Sequence, residues 1–572
     1  MEIVRSNFQS QLPSILEDVR RCDFISIDGE FTGISKADFK ARPFDTVPER
    51  YTKLRQGNMD YLMCQVGLCM FFQQPDGDYL AKPYKFYVTP QTFGHTDHGK
   101  SFEFTCQASS MNFLASHGFD FNKVFCQGIS YLRPSAESKI RDTIMEKEEK
   151  RSTVTETPIA VKGEDKKFIN GVMKKVEEYF SSTTEDDVQP LDLEPCSPFR
   201  RKITYQYVRF KYPVEAYMES VGEGREKHIQ VSKINTETRK AKEQAVINKK
   251  LEDLQVAVGF SHVIKEISSK GKMLVGHNML LDLMYFVSQF MAELPETYEE
   301  FKAMVTELFP RLLDTKVISS TYLFKEDIPH TSLDELIKAL TSSLYQQINI
   351  VIPEGFPDYE APDCKMEFHD AGYDAYTTGK CFAIMAHTIG LKATPPVQNL
   401  ASNSKLLTPF INKIYLNRIQ DIPYMNLAGP EVLPDREHLY YLSFPNTWTR
   451  QDINQVFFPS LIYVTWIDNS SAMVSLQERS ENAQVKKLLS ASTLGCVVVP
   501  YAEWHKQQLK SQSLSPKYEQ ASKQAVKRKH SGTESSTPGE SDVKLVKVTK
   551  ESETAAAQTS LKADKLFQES NW

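Results

Sequence analysis

Apolar runs separated by turn residues mark the start of the chain and predict β-strands there. FISIDGEF at 24–31, YLMCQVGLCMFF at 61–72 and YKFYV at 84–88 have the length and residue types of strands. We expect the second and third runs to be neighbours in one sheet. A later run, MLVGH at 273–277, predicts a strand that leads into a helix from about residue 279.

Several other segments have the pattern of helices. Four apolar side chains recur at intervals of four residues and predict an amphipathic helix: Phe168, Val172, Val176 and Phe180. Residues 133–166 are charged and poor in core residues, which predicts an exposed helix or linker. Residues 236–255 are charged on all sides, as in a helix that bridges packed units. Ser332 and Glu335 in SLDELIKAL fit a capping box at a helix start.

The C-terminal part of the chain changes to short strands. From about residue 436, five apolar runs predict strands around one helix, ENAQVKKLLSA: EHLYYLSF, VFFPS, LIYVTWI, SAMVSL and CVVVP. That rhythm is typical of an RNA-recognition-type domain. After residue 505 the composition turns to Ser, Lys, Glu and Ala, which predicts a disordered tail.

Composition and charge restrict the class of protein. A chain of 572 residues can build more than one hydrophobic core, and no apolar run approaches the roughly 18 residues of a membrane span. We therefore expect no membrane association. The net charge is −6, but residues 506–572 have 12 basic and 8 acidic residues, so they carry +4 and the remainder −10. This balance excludes tight nucleic-acid binding through bulk positive charge and leaves local basic patches, metals and stacking.

The cysteines favour a reducing compartment. All nine are scattered and form no C-x-x-C pair, so neither a zinc ribbon nor a disulfide framework is expected. The first residues also lack the apolar core and cleavage site of a secretory signal.

The sharpest chemical signal is a pair of carboxylates at the end of the first apolar run. Asp28 and Glu30 lie two residues apart on a predicted strand, so both side chains project from the same face. Two such carboxylates repel each other unless a cation neutralises them, and their oxygens suit Mg²⁺ or Mn²⁺. Taken alone, the pair is better explained as a solvated turn.

Two later segments contribute candidate partners for this pair. In GHNMLLDLMYFV, Asp282 lies within an apolar helix, where an unpaired carboxylate is costly, so a partner such as a metal is expected. In HDAGYDAYTTGKCFAIMA, Asp374 opens a predicted amphipathic helix and His369 lies five residues earlier. Such a histidine could take a proton from a metal-bound water. Taken separately, Asp282 could lie on a solvated stripe and His369 could cap the helix.

The order of these motifs resembles a known signature. D-x-E, then G-H-N-x-x-x-D, then H-x-A-x-x-D-A is similar to the DEDD exonucleases of the His-containing subgroup. MEIVRSNF, FISIDGEFTGIS, FPRLLDTK and HDAGYDAYTTG look like the poly(A)-specific ribonucleases, the deadenylases of that superfamily. The resemblance covers nearly the whole chain to about residue 505 and is poorest in 133–166 and the tail.

The resemblance implies an α/β fold. An RNase H-like DEDD exonuclease core, a mixed sheet with flanking helices, would carry an inserted small α/β Arg-x-x-x-His-type domain and a C-terminal α+β RNA-recognition-type domain. The resemblance assigns residues 1–160 and 236–425 to the two parts of the nuclease domain and residues 165–235 to the inserted nucleic-acid-binding domain. Residues 430–505 would form the RNA-recognition-type domain, and residues 506–572 the disordered tail.

The resemblance also implies a mechanism. Asp28, Glu30, Asp282 and Asp374 would hold two divalent ions, Mg²⁺ or alternatively Mn²⁺, with Asp28 bridging them. His369 would be the general base on the attacking water. The expected product is 5′-AMP, released one nucleotide at a time from the 3′ end of a single-stranded poly(A) tail.

Further binding residues follow from the same resemblance. Phe31, Ile34, Lys316 and Leu333 would line the path of the adenosines, although core packing explains the three apolar residues as well and a surface charge explains Lys316. Trp466 would stack on the 5′ cap of the mRNA, with burial in the sheet core as the alternative.

The remaining expectations are less specific. In the inserted domain FRRKITYQ lacks the signature histidine, so Arg200, Arg201 and Lys202 predict either single-strand binding or a structural role. A homodimer is expected by resemblance. VKRKH at 526–530 fits a nuclear-localisation signal or a chance basic cluster, and we expect the protein in nucleus and cytoplasm.

Three functions stay open at this point. The first is a 3′ exoribonuclease that shortens mRNA poly(A) tails with cap recognition. The second is a DNA proofreading-type 3′ exonuclease, which the RNA-type modules disfavour. The third is an RNA- or cap-binding protein on a nuclease fold without activity, which the five filled catalytic positions disfavour.

Overall fold

A mixed β-sheet organises the larger part of the chain. The computed structural model describes residues 1–91, 103–153, 157–182, 189–361, 368–491 and 495–514. The predicted tail beyond residue 514, with its basic cluster at 526–530, lies outside these residues. Within the described ranges no helix is both long and apolar enough to cross a bilayer.

The first part of the chain builds one half of the large sheet. Its strands are β1 (Glu2–Ile3), β2 (Phe24–Phe31), β3 (Met63–Gln73) and β4 (Tyr79–Tyr87). Its helices are α1 (Arg5–Arg21), α2 (Val47–Asn58), α3 (Ala108–Ser116), α4 (Phe121–Gln127) and α5 (Pro134–Thr153). β3 and β4 are antiparallel neighbours, as predicted, and β4 begins five residues before the predicted run. The predicted exposed helix after residue 133 is α5.

A small domain follows α5. Its elements are α6 (Gly163–Ser182), β5 (Leu191–Asp192), α7 (Pro198–Lys211), β6 (Ala216–Val221) and β7 (His228–Lys233). The three strands form an antiparallel sheet in the order β5-β7-β6. The apolar stripe of α6 packs into this domain's core through Ile169, Val172, Val176 and Phe180, while Phe168 is only partly buried. The long charged helix α8 (Thr236–Val258) then packs against α5, as expected for a bridging helix.

The chain then returns to the large sheet and completes it. The strands that join the large sheet are β8 (Met273–Gly276), β9 (Leu312–Asp314) and β10 (Ile350–Val351), whereas β11 (Lys413–Ile414) and β12 (Met425–Asn426) form a separate two-stranded antiparallel sheet. The helices are α9 (Ser261–Ser269), α10 (Leu280–Tyr285), α11 (Tyr298–Leu308), α12 (Thr315–Ser319), α13 (Leu333–Leu340) and α14 (Ala371–Leu391). The sheet order is β1-β4-β3-β2-β8-β9, with β10 beside β4. β2 is therefore central, antiparallel to β3 and parallel to β8. The predicted mixed sheet with flanking helices is confirmed.

Helix α14 lies directly on this sheet. A Cβ atom on Gly67 of β3 would lie 1.7 Å from the Ala371 carbonyl oxygen, so only glycine lets the start of the helix approach so closely. The Ser26 hydroxyl of β2 donates to the Ala375 carbonyl at 2.6 Å. The prediction that α14 is amphipathic is wrong: nearly all its residues are buried, because the sheet covers one side and α13 packs on another.

The predicted capping box at the start of α13 also needs correction. Ser332 does occupy the N-cap position, but its side chain makes no capping hydrogen bond. Its hydroxyl interacts with the Asp334 carboxylate instead, and Glu335 pairs with Lys338 at 2.9 Å. The Ser332 and Glu335 side chains therefore bond to the Asp334 and Lys338 side chains and not, as a capping box requires, to each other's backbone amides.

The C-terminal domain has the α+β arrangement expected of an RNA-recognition-type fold. Its elements are β13 (Leu439–Ser443), α15 (Arg450–Phe457), β14 (Ile462–Asp468), β15 (Ser471–Leu476), α16 (Asn482–Ala491), β16 (Val497–Pro500) and α17 (Tyr501–Leu514). The strand order is β14-β15-β13-β16. The prediction of a strand at VFFPS is wrong, because Ile453, Val456 and Phe457 have helical spacing and pack into the core from α15. α17 also runs past residue 506, where the sequence predicts disorder.

Helix α17 covers one face of that C-terminal sheet. The rings of Tyr441 on β13 and Trp504 on α17 stack with centroids 5.2 Å apart. Phe44, from the loop before α2, joins Met473 and Tyr501 in the same apolar cluster. This face of the sheet is therefore packed against the protein itself.

The contact at Gly67 generates a test of the fold. A Gly67→Ala substitution should lower the free energy of unfolding by about 2 kcal/mol, because the new methyl group forces α14 away from β3. Gly171→Ala is the matched control: it adds a methyl group in open space on α6 and should stabilise that helix by up to about 1 kcal/mol. Denaturant unfolding measures both. Equal stability of the two variants would contradict the packing described here.

Candidate active site

Three of the predicted site residues meet beside the central strand. Glu30 lies near the end of β2, and His369 and Asp374 come from the start of α14. Carboxylate oxygens of Glu30 and Asp374 and a ring nitrogen of His369 all lie within 4.8 Å of one another. After burial, the charges of Asp374, Asp282 and Glu30 raise the pKa of Asp28, two residues before Glu30, more than any others do. The predicted cluster is thus assembled from β2 and two distant helices.

Asp282 reaches the same place from α10. Within the part of the chain that the structure describes, its Oδ1 atom is buried without a hydrogen-bond partner, as is Oδ1 of Asp374. A Cβ atom on Gly29 would lie 3.0 Å from the Asp282 Oδ1 atom and closer still to Met63, so the glycine between Asp28 and Glu30 leaves the space that Asp282 needs. The solvated-stripe alternative for Asp282 is wrong, since the residue is buried.

The electrostatics of this cluster favour a bound cation. Burial, followed by the neighbouring carboxylates, raises the pKa values of Asp28 and Glu30 well above their ordinary range. Burial also raises the pKa of Asp282 to about 8 and that of Asp374 to about 7. Four interacting carboxylates, of which Asp282 and Asp374 have a buried oxygen without a hydrogen-bond partner among the described residues, are the donor set that a hard divalent cation such as Mg²⁺ or Mn²⁺ prefers. The residues present therefore fit a divalent metal.

His369 is held at this cluster by its backbone and by two rings. Its φ of 77° lies in the left-handed region, which a histidine rarely adopts, and its amide donates to Oδ2 of Asp374 at 2.8 Å. Its ring packs against Phe113 and His117, with both centroid distances 4.5 Å. Burial, and then the neighbouring His117, lower the pKa of His369, which keeps the imidazole neutral and able to accept a proton.

Sequence reasoning missed two aspartates that shape the site. Asp370 caps α14 through the amides of Gly372 and Tyr373, and its carboxylate pairs with Lys85 at 2.6 Å. An aspartate just before an apolar helix is the signal that could have identified this cap.

Asp314 is the second aspartate. It is fully buried at the end of β9 and accepts hydrogen bonds from four backbone amides: Asn278, Met279, Lys316 and Tyr415. Asp314 therefore fixes the turn that precedes Asp282. The sequence showed FPRLLDTK only as a motif, without this role.

The residues predicted to contact adenosine lie in different environments. Phe31 is partly buried and stacks on Tyr285 with centroids 4.9 Å apart, whereas Ile34 is 51% exposed. Lys316 lies at the start of α12 with its ammonium 5.1 Å from the ring centre of Tyr415, and Leu333 begins α13 against the core. Ile34 is therefore open to a ligand, and the other three are only partly so.

Two other predictions concern the smaller domains. Trp466 on β14 is 44% exposed and touches Phe444 edge-on, so it is not buried in the sheet core. In the inserted domain, Arg200 pairs with Asp165 at 2.9 Å, and Arg201 donates to backbone carbonyls of its own domain. Both arginines thus have structural contacts, while Lys202 is exposed.

Comparison with known proteins identifies the family of this chain. A model of CAF1 family ribonucleases matches residues 3–382. The chain belongs to the CAF1 ribonuclease family. A model of an RNA binding domain matches residues 429–507 of this family member, in agreement with the predicted C-terminal domain.

Named relatives of this CAF1 ribonuclease extend over most of its length. It is 41% identical over 545 residues to Poly(A)-specific ribonuclease PARN of Homo sapiens, covering 92% of this chain and 82% of that protein. The Xenopus laevis protein of the same name is 40% identical, with 88% and 81% covered. The Pre-piRNA 3′-exonuclease trimmer of Bombyx mori is 32% identical, with 75% and 79% covered.

The raised pKa values in this CAF1 ribonuclease predict an unusual dependence of stability on pH. In metal-free protein, Asp282 and Asp374 keep protons that the unfolded chain releases above about pH 4, so the melting temperature should fall as the pH rises from 5 to 8. Saturating Mn²⁺ or Mg²⁺ should raise the melting temperature, and more at pH 8 than at pH 5, because ionised carboxylates bind the ion.

Two variants control this measurement. Asp282→Asn should be more stable than the parent protein at pH 8 without metal, and its metal-induced shift should be smaller. Asp142→Asn removes an exposed carboxylate on α5 and should behave like the parent. A metal-free melting temperature that rises with pH in the parent protein would contradict the assignment of the pKa values.

Proposed function

We propose that this CAF1 ribonuclease is a metal-dependent 3′-to-5′ exonuclease that shortens the poly(A) tails of mRNA. The observation that carries the proposal is the cluster of Glu30, Asp374 and His369, whose ligand atoms lie within 4.8 Å of one another. The charge of Asp282 acts on Asp28 and Glu30, and both Asp282 and Asp374 have a buried oxygen without a hydrogen-bond partner among the described residues. The identity to relatives named for poly(A)-specific ribonuclease activity supports poly(A) as the substrate.

The chemistry follows from the residues in place. Asp28, Glu30, Asp282 and Asp374 would hold two divalent ions, which supply activation of a water and stabilisation of the departing 3′ oxygen. His369, neutral and held by Phe113 and His117, takes the proton of the attacking water. The water oxygen bonds to phosphorus, the bond to the 3′ oxygen of the preceding nucleotide breaks, and 5′-AMP leaves.

Four further residues would guide the strand to these groups. Ile34 offers exposed apolar surface, and Phe31 on Tyr285 presents a stacked aromatic pair next to Glu30. Lys316 offers a cation for a phosphate, and Leu333 lines the start of α13. Phe31, Ile34 and Leu333 have no hydrogen-bonding groups, and Lys316 can donate to any phosphate or base acceptor, so these residue types do not by themselves specify adenine.

Cleavage of matched oligonucleotides tests the proposal. With Mg²⁺, a 3′-hydroxyl rA oligonucleotide should be shortened in single-nucleotide steps, and rU and dA of equal length should be shortened at least about 10-fold more slowly. Asp28→Asn should lose at least about 100-fold in rate while folding normally, because it removes a metal ligand. Asp142→Asn should match the parent enzyme.

Each of the other outcomes has a clear meaning. Preferential cleavage of dA would indicate a DNA exonuclease. Binding of rA without cleavage would indicate an RNA-binding protein on a nuclease fold. Equal rates on rA and rU would indicate a 3′ exoribonuclease without preference for adenosine; the Bombyx mori relative, for example, is named a pre-piRNA 3′-exonuclease trimmer. Normal cleavage by Asp28→Asn would overturn the metal site.

Cap recognition by the C-terminal domain is part of the proposal. Trp466 has the exposed ring that stacking on a cationic 7-methylguanine requires. Trp466→Ala should weaken binding of 7-methyl-GTP by about 10-fold or more, followed by quenching of tryptophan fluorescence. Trp504→Phe is the control, because Trp504 stacks on Tyr441 and should not touch the cap. Equal affinity of Trp466→Ala and the parent protein would remove the cap site from Trp466.

We also propose a homodimer, and a location in both nucleus and cytoplasm. The resemblance to the deadenylase family supports the dimer, and the basic cluster at 526–530 supports nuclear import. Sedimentation of the full chain and localisation of a chain lacking 526–530 test these two points separately.

A further inference from the structure

His277 is a buried polar residue that the mechanism above does not use. It follows directly after β8, the parallel neighbour of β2. The last paired residues of these strands are Ser26 and Val275, and Asp28 and His277 each lie two residues further on. His277 therefore lies at the same level of the sheet as the carboxylate cluster, one strand away.

One side of the His277 ring is held in place. Nδ1 lies 2.9 Å from the Thr315 hydroxyl, and that hydroxyl is 3.1 Å from the Gly276 carbonyl. The turn that follows His277 is anchored by Asp314, the residue before Thr315, whose carboxylate accepts from the amides of Asn278 and Met279. The ring thus has a fixed orientation within a turn that is itself fixed.

The other side of the ring has no hydrogen-bond partner. Nε2 is buried and unpartnered among the described residues, an arrangement that costs free energy unless a ligand completes it. The same applies to Oδ1 of Asp282 and of Asp374, which belong to the metal site. The three atoms together suggest a site built for a metal-bound substrate.

The charge state of the ring identifies the kind of group that fits. Burial, and then Lys316, lower the pKa of His277 to about 3, against smaller opposite effects from Asp334 and from the Thr331 backbone, which lies near the ring without the geometry of a hydrogen bond to Nε2. The imidazole is therefore neutral at neutral pH. A hydroxyl group can either donate to Nε2 or accept from it, so it satisfies both neutral tautomers. A phosphate oxygen would satisfy only one of them.

The surroundings place this ring on the proposed path of the RNA strand. Lys316 follows Thr315, and Leu333 precedes Asp334. The charge of Asp334, at the start of α13, raises the pKa values of both His277 and His369, so it acts on both rings. A strand whose last phosphate lies at the carboxylates and His369 brings its ribose groups past this point.

We propose that His277 hydrogen-bonds a ribose hydroxyl of the bound strand and thereby selects RNA over DNA. The 2′-hydroxyl is the group that only RNA carries. A site that buries a hydrogen-bonding group for a hydroxyl rejects the analogue that lacks it, because the group is left unpaired. The inference rests on the exoribonuclease function proposed above and deepens it by naming the feature of the substrate that is recognised.

Single-turnover cleavage of oligo(rA) with one 2′-deoxy nucleotide at successive positions from the 3′ end tests this role. In the parent enzyme one position should slow cleavage by about 10-fold, the equivalent of one hydrogen bond. His277→Phe keeps the planar ring without the nitrogen atoms and should abolish that difference. His277→Gln keeps a hydrogen-bonding group and should retain part of it.

A second variant and a stability measurement keep the test decisive. Thr315→Val removes the partner of Nδ1 and should reduce the rA to deoxy ratio in the same direction. Melting temperatures of all variants should be compared, so that loss of fold is recognised. If His277→Phe slows the all-ribo and the deoxy substrates equally, His277 only supports the metal ligands and the proposal is wrong. Failure of the parent enzyme to cleave rA at all would instead overturn the proposed function.

Discussion

Burial of like charges around the end of β2 is the constraint on which the rest of this structure depends. Asp28, Glu30, Asp282 and Asp374 are drawn together where water and hydrogen-bond donors are scarce, which raises their pKa values. Such a cluster destabilises the metal-free fold and favours a cation. The close packing around it, with Gly29 and Gly67 providing space, keeps the carboxylates from moving apart. The fold therefore holds these carboxylates in mutual repulsion, which a bound metal ion would relieve.

The packing that imposes this cost comes from residues far apart in the chain. At the first turns of α14, the Ser26 hydroxyl of β2 donates to the Ala375 carbonyl. The Gln65 side-chain oxygen on the adjacent strand β3 accepts from the Ala371 amide. Because α14 is buried on nearly all sides, it cannot shift without disturbing the sheet. The small inserted domain is connected to the nuclease part by α5 and α8, which pack against each other. The site residues before and after this domain are therefore far apart in sequence but close together in space.

The sequence indicated the candidate metal ligands and the general base, but not the residues that hold them in position. Asp28, Glu30, Asp282, His369 and Asp374 were predictable because the order of their motifs resembles the DEDD exonuclease signature, although each motif taken alone has an ordinary explanation. Asp314 was not, because its four amide partners come from separate segments. The orphaned Nε2 of His277 depends on tertiary packing for the same reason. VFFPS was misread as a strand because a short apolar run suits either period, and contact with a core decides between them.

The contacts of α2 connect the proposed RNA-binding regions of the two domains. At its start, Glu49 pairs with His505 of α17 at 3.1 Å, and the preceding loop places Phe44 under Tyr501. At its end, Asn58 donates to the Ile34 carbonyl at 2.6 Å and accepts from the Tyr285 hydroxyl at 2.7 Å. α17 covers one face of the C-terminal sheet, while Trp466 on β14 stays exposed. A single helix, α2, thus contacts both α17 of the C-terminal domain and Ile34, one of the residues that would hold the 3′ end of the strand.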